Sequence, residues 1–126
     1  MNETELLIEY AKCWNNLDVS YIEGILAENL EYTSQWVFET MYGKDNYLQY
    51  LSGKFNTIRN SINIPKAELG YYKYAYQEHN KPCLVITQGN TQVGVLVQVQ
   101  DGKMTKIDMV GIPHPSNAIL FDIAPK

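Results

Sequence analysis

Residues 83–110, CLVITQGNTQVGVLVQVQDGKMTKIDMV, contain the pattern that decides the fold. Two short turn sequences, Gly89-Asn90 and Asp101-Gly102, separate runs that are rich in β-branched residues. Glycine, asparagine and aspartate tolerate the positive φ angles of two-residue hairpin turns. The stretch therefore predicts three consecutive antiparallel strands. The predicted strands cover residues 83–88, 91–100 and 103–110.

The chain before these strands begins with helical periodicity. Asn2 and Glu5 have the spacing of an N-cap and its partner, and the apolar residues that follow predict a helix over 3–16. Asp18 is expected to cap a second, shorter helix that continues through Leu26. The other expected elements are a strand over 30–39 with one wet face, a third helix between Gly43 and Pro65, and a tyrosine-rich strand over 66–76. Helices followed by a meander predict one α+β domain over 1–126, with three helices on one face of a strongly curved antiparallel sheet.

Composition narrows the class of protein further. The chain has 126 residues, of which 45% are hydrophobic, which suits a single folded domain and excludes disorder. The formal charge of -4 argues against nucleic acid as a partner, because binding to phosphates needs clustered cations. The acidic start and the lack of about 20 consecutive apolar residues predict a cytoplasmic protein with no membrane partner.

The residues that usually hold metals or cofactors are sparse. Cys13 and Cys83 lack CxxC spacing and are expected to be buried thiols. The chain has two histidines, His79 and His114, and both lie in turn-like surroundings. These residues supply too few ligands for a metal site. Because the glycine-rich phosphate motifs and the GxSxG motif are also absent, we expect neither a metal nor a cofactor.

The hairpin around Asp101-Gly102 also predicts the faces of the sheet. If Gln100 pairs with Lys103, then Leu96 and Gln98 face the helices together with Ile107 and Met109. The opposite face then carries Val93, Val95, Val97 and Val99. A monomer seldom exposes such a patch, so we expect a homodimer through this outer sheet face. A one-residue bulge at the turn would exchange the two faces.

The order of elements resembles the nuclear transport factor 2-like superfamily, the cone-shaped, cystatin-like fold that includes SnoaL-like cyclases and ketosteroid isomerase. The resemblance is carried by three segments, YAKCWNNLD at 10–18, LEYTSQWVF at 30–38 and YGKD at 42–45. It extends from Leu6 to about Val110. The superfamily includes enzymes, transport adaptors and binding proteins, so the function has to be argued from the pocket.

The resemblance implies an apolar cavity inside the cone. The residues expected to line it are Trp14, Tyr32, Ser34, Trp36, Tyr72, Tyr74, Tyr76, Leu96, Gln98, Ile107 and Met109. Those expected to bind a ligand are Trp14, Tyr32, Ser34, Trp36, Tyr72, Gln98 and Met109. Tyr32 and Ser34 are the strongest candidates, because inward hydroxyls on a strand need hydrogen-bond partners that water or a ligand can supply.

The likeness to ketosteroid isomerase does not extend to its catalytic groups. That enzyme uses a carboxylate base, a tyrosine and a protonated aspartate. Ser34 stands near the position of the base, and Trp14 stands at the position of the tyrosine. Gly94 or Leu96 falls near the position of the acid. Enolisation chemistry is therefore disfavoured, and whether the chain is an enzyme stays open.

Three functions follow from these observations. The first is binding of a small hydrophobic or aromatic organic molecule in the cavity. The second is an isomerase, dehydratase or cyclase that uses Ser34, Tyr32 or His114 with a bound water. In this second case Asp108 is a further candidate if the strand register shifts by one. The third is a protein-interaction module that uses the open sheet face.

Overall fold

Two α-helices lie against one face of a seven-stranded sheet in the part of the chain that the structure, a computed structural model, describes: residues 1–113 and 119–123. The helices are α1 (Glu3–Asn16) and α2 (Lys44–Arg59). The strands are β1 (Leu26–Ser34), β2 (Val37–Tyr42), β3 (Lys66–Tyr74), β4 (Lys81–Gln88), β5 (Thr91–Gln100), β6 (Lys103–Ile112) and β7 (Ile119–Ile123). The α+β class expected from the sequence is confirmed at this level.

The prediction of a second helix from Asp18 to Leu26 is wrong. Asp18 does act as an N-cap, and its carboxylate accepts a hydrogen bond from Ser20 N at 2.9 Å. The helix it begins is a single 3-10 turn, Val19–Tyr21. The following residues enter the sheet instead, since Met104 N donates to Ile25 O at 2.8 Å. Pairing with a strand far along the chain therefore overrides the local helical pattern.

The strand expected over 30–39 is two strands joined by a tight turn. Ser34 pairs with Val37, and Gln35 and Trp36 form the turn between them. Neither turn residue is a glycine or asparagine, so the sequence carries no turn signal there. The turn is held by β6 instead: Gln35 N donates to Met109 O at 3.1 Å, and Gln35 Oε1 accepts from Gly111 N at 2.9 Å.

The sheet is mixed rather than wholly antiparallel. Its strand order is β2-β1-β6-β5-β4-β3-β7, and β1 runs parallel to β6 while all the other pairs are antiparallel. The two strands of the parallel pair are far apart in the sequence, and α2 lies in the long connection between them. Local hairpin signals do not reveal such a distant pairing.

The expected register of the β5–β6 hairpin is wrong beyond its first two pairs. Val99 lies opposite Met104, but Gln98 lies opposite Lys106, so Thr105 is an extra residue in β6. The bulge exchanges the faces of β5 relative to our expectation. Val95 and Val97 are 0% and 6% exposed and pack under the helices.

The valine patch expected on the outer face therefore lies inside the protein. Leu96 takes the outer position and packs there with Tyr72, Val85 and Ile119. Gln98 is exposed. The homodimer through the outer sheet face stays a prediction, and its original argument no longer supports it.

A second apolar cluster covers the sheet face opposite the helices. Cys83 and Val85 of β4 are 0% and 2% exposed in this cluster. Phe121 of β7 packs against it, and its ring lies directly over Gly94 of β5. Burial raises the pKa of the Cys83 thiol to about 12, so this cysteine stays protonated at neutral pH.

No helix in residues 1–113 or 119–123 combines the length and the apolar character that crossing a membrane requires.

We expect Gly94→Ala to destabilise the protein by about 1–3 kcal/mol, the typical cost of overpacking. An added Cβ would lie 2.3 Å from Phe121 Cε1. Denaturant unfolding measures the change. Phe121→Leu in the same chain should recover part of the loss in a double-mutant cycle.

Gly53→Ala in α2 is the matched control, because nothing lies within 4 Å of its added Cβ. This change should stabilise the helix by about 0.5–1 kcal/mol. A Gly94→Ala protein as stable as the unmodified chain would contradict the placement of β7 over β5.

Candidate ligand-binding site

A cavity of about 190 Å³ lies on the helix side of the sheet, between α1, α2 and the strands β1, β4, β5 and β6. Its apolar and aromatic wall residues are Trp14, Tyr32, Trp36, Ile86, Val93 and Met109. Its polar wall residues are Ser34, Lys54, Gln88 and Thr91. Trp36 is 55% exposed and lies at the rim.

The parallel pairing of β1 with β6 builds one wall of this cavity. Ser34 lies opposite Met109, and Tyr32 lies opposite Ile107. Because side chains alternate along a strand, Tyr32 and Ser34 point to the same face. Ser34 Oγ accepts a hydrogen bond from Trp36 N at 3.3 Å. Accepting this bond leaves the Ser34 hydroxyl hydrogen available to another acceptor.

The Tyr32 hydroxyl has a sulfur as hydrogen-bond acceptor and lies near the Tyr50 and Ser34 hydroxyls. It donates to Met109 Sδ at 3.5 Å, and a thioether sulfur is a poor acceptor. Burial raises the pKa of Tyr32 well above its ordinary value, and the neighbouring Tyr50 raises it further. The phenol therefore stays protonated at neutral pH, so it can donate a hydrogen bond but cannot serve as a general base.

A cluster of tyrosines holds the Tyr32 ring in place. The ring centroid of Tyr32 lies 4.9 Å from that of Tyr47 and 5.6 Å from that of Tyr50. Tyr47 in turn shares a hydrogen bond between hydroxyls with Tyr10, and both residues are fully buried. Burial raises the pKa of Tyr10 and of Tyr47, which keeps both hydroxyls neutral. This neutral pair lets two phenols sit in an apolar core without a buried charge.

Among the described residues, Lys54 of α2 is the one cation in the wall. Its Nζ lies 5.8 Å from the Trp14 ring centroid and 6.0 Å from that of Tyr50, the outer range of cation–π contact. The sequence analysis missed this residue. Leu51 and Ile58, three positions before and four after it, are buried, so helical spacing could have placed Lys54 on the inner face.

The structure brings together five of the seven residues proposed as ligand contacts. These five are Trp14, Tyr32, Ser34, Trp36 and Met109. Tyr72 and Gln98 lie elsewhere: Tyr72 packs with Phe121 in the second apolar cluster, and Gln98 is exposed. The bulge at Thr105 explains the error for Gln98, since it places Ile107 and Met109 on the face of the β5 valines and leaves Gln98 on the other face.

Other expected lining residues also lie outside the wall. Leu96 and Tyr74 belong to the second cluster, Tyr76 is 79% exposed, and Ile107 is buried in the main core. The β4–β5 hairpin supplies Ile86, Gln88, Thr91 and Val93 in their place. The sequence analysis did not name these four as wall residues, and for Val93 the cause is the register error, which turned it outward.

Of the acid–base candidates, Asp108 does not line the cavity. Asp108 lies opposite Leu96 on the other face, where it accepts a hydrogen bond from Thr33 Oγ1. Burial raises the pKa of Asp108, while Lys106 at 4.0 Å lowers it. His114 lies outside the described residues. Within those residues, no group of three or more His, Cys, Asp and Glu side chains could hold a metal.

A seven-stranded mixed sheet with two helices on one face defines the nuclear transport factor 2-like α+β fold, also described as cystatin-like. A SnoaL-like protein of unknown function from Burkholderia thailandensis matches with a TM-score of 0.65 and 12% identity, over 86% of this chain and 92% of the other. An uncharacterised cystatin-fold protein from Novosphingobium aromaticivorans matches with a TM-score of 0.63 and 14% identity, over 87% and 98%. A nuclear transport factor 2-like protein of unknown function from Cytophaga hutchinsonii matches with a TM-score of 0.58 and 15% identity, over 92% and 95%.

These matches confirm that the chain resembles the superfamily in fold. No protein-family model matches the chain, and comparison with curated protein sequences found no match either. Identities this low show a shared fold alone, so the function has to be argued from the cavity.

We expect Tyr10→Phe to cost about 1–3 kcal/mol of stability, because it leaves the Tyr47 hydroxyl buried without a partner. Replacing both tyrosines with phenylalanine should cost less than the sum of the single changes. Thermal or denaturant unfolding of the three variants gives the coupling energy. Tyr71→Phe, at a residue 44% exposed, is the control and should change little. Strictly additive costs would contradict the hydrogen-bonded pair.

Proposed function

We propose that the protein binds a small aromatic or hydrophobic organic molecule in the cavity between the helices and the sheet. The observation that carries this proposal is the aromatic wall of Trp14, Tyr32 and Trp36, with two hydroxyls on the same strand face. Such sites combine apolar area, which supplies affinity, with a few polar groups that orient the ligand. The Tyr32 hydroxyl is one of these polar groups, and it stays protonated at neutral pH.

The cavity volume limits the ligand to a small molecule. An apolar cavity of about 150 Å³ accommodates benzene. The 190 Å³ found here therefore suits one ring with a small substituent. Steroids and polycyclic aromatics exceed this volume unless the exposed Trp36 moves aside.

Binding without chemistry is favoured over the enzymatic alternative. Within the described residues, neither a carboxylate nor an imidazole lines the cavity. Serine and a high-pKa tyrosine do not abstract a proton at neutral pH without a neighbouring base. An isomerase, dehydratase or cyclase would need a general base beside these hydroxyls, and the described residues of the wall include no carboxylate or imidazole to serve as one.

The cytoplasmic location stays a prediction.

Binding is tested by thermal shift with single-ring aromatic compounds, and a steroid serves as the oversized comparison. A ligand at 100 times its Kd stabilises the folded state by about 2.7 kcal/mol, which raises Tm by several degrees. We expect such a rise with single-ring compounds and none with the steroid. The double variant Tyr32→Phe, Ser34→Ala should lose most of the rise, because it removes both hydroxyls and keeps the fold.

Tyr72→Phe with Gln98→Ala is the matched control, since it makes comparable changes at residues away from the cavity. This control should bind as the unmodified protein does. If both double variants respond equally, or if no single-ring compound raises Tm, the cavity is not the binding site.

A further inference from the structure

We propose that the ligand of this cavity carries a carboxylate that Lys54 binds, so that its class is a single-ring aromatic acid. This inference rests on the proposed function and deepens it. It starts from the charge of the wall, which is opposite to that of the whole molecule. The chain has a formal charge of -4, yet among the described residues the wall has Lys54 and no acidic side chain.

Lys54 holds its charge beside aromatic rings without a counterion. Within the described part of the chain, no carboxylate oxygen lies within 4.0 Å of Lys54 Nζ, whereas Lys12, Lys44 and Lys106 each have one. Its two recorded partners are the faces of Trp14 and Tyr50. Rings attract a cation but accept no full hydrogen bond, so three ammonium donors still lack an anionic acceptor.

Three other polar groups of the wall can also donate hydrogen bonds. Trp14 Nε1 is buried without a hydrogen bond of good geometry, although it lies near the Tyr10 hydroxyl. The Tyr32 hydroxyl donates to Met109 Sδ, and Ser34 Oγ accepts from Trp36 N and keeps a hydrogen to donate. A wall that offers hydrogens and a positive charge fits a ligand group that only accepts. A carboxylate is such a group, and its hydrogen bonds to an ammonium are roughly twice as strong as those between neutral partners.

Size and shape complete the assignment. A ring fills the aromatic end of a 190 Å³ cavity, and a carboxylate attached directly or through one methylene keeps the molecule within that volume. Benzoate and phenylacetate are therefore the probes, and benzamide and phenylacetamide are their neutral counterparts of nearly equal shape. The alternative is that Lys54 only covers Trp14 and Tyr50, in which case the charge of the ligand has no effect.

Titration followed by tryptophan fluorescence measures the four affinities. Both tryptophans of the chain, Trp14 and Trp36, line the cavity, so the emission reports occupancy directly. We expect each acid to bind about tenfold more tightly than its amide. Lys54→Gln should reduce this ratio to about one, because it removes the positive charge. Lys54→Arg should retain most of the ratio, because it keeps that charge. Lys66→Gln, at an exposed lysine away from the cavity, should leave the ratio unchanged.

The outcomes separate the two proposals. If acid and amide bind equally well to the unmodified protein, the carboxylate inference is overturned and aromatic binding stands. If the acids are preferred and Lys54→Gln keeps that preference, the assignment to Lys54 is overturned. If neither acid nor amide binds, the proposed function fails, and the inference fails with it. A folded Lys54→Gln protein is established by an unfolding midpoint close to that of Lys66→Gln.

Discussion

The extra residue at Thr105 in β6 is the constraint on which the interior depends. It shifts the β5–β6 ladder by one residue after Val99 and Met104, so that Ile107 and Met109 of β6 share a face with Val95 and Val97 of β5. The alternating valines of β5 then fill the space under the helices. Thr105 Oγ1 donates to Gln98 O at 3.3 Å and so bridges the two strands at the bulge. Without this shift Ile107 and Met109 would lie on the same face as Leu96 and Gln98.

The proposed binding function rests on the character of the cavity wall. Its polar groups include Lys54 and the Tyr32 and Ser34 hydroxyls, and burial keeps the Tyr32 phenol protonated. The titratable carboxylate of Asp108 lies across the sheet, where Thr33 and Lys106 engage it. The sheet separates this acid from the aromatic wall, which is why we propose ligand binding over acid–base catalysis.

Sequence patterns predicted part of the candidate site. They placed residues correctly where the placement depends on near neighbours in the chain, and they failed where it depends on distant ones. Trp14 follows from helical spacing, and Tyr32 and Ser34 follow from strand alternation, because both patterns depend on near neighbours. Gln98 and Tyr72 were misplaced, and Lys54 was missed. The face of β5 depends on a bulge, and the role of Lys54 depends on rings that other elements bring beside it.

The amino-acid sequence by itself determined the α+β class, the two long helices, the meander and its hairpin turns. Those features come from periodicity, capping and turn preferences within a few residues of each position. Only the tertiary structure decided that 18–26 becomes a short turn and the start of a strand, that β1 pairs in parallel with β6, and which face of β5 is inside. Each of these depends on hydrogen bonds between residues far apart in the chain, whose gain outweighs local preference only once the sheet has formed.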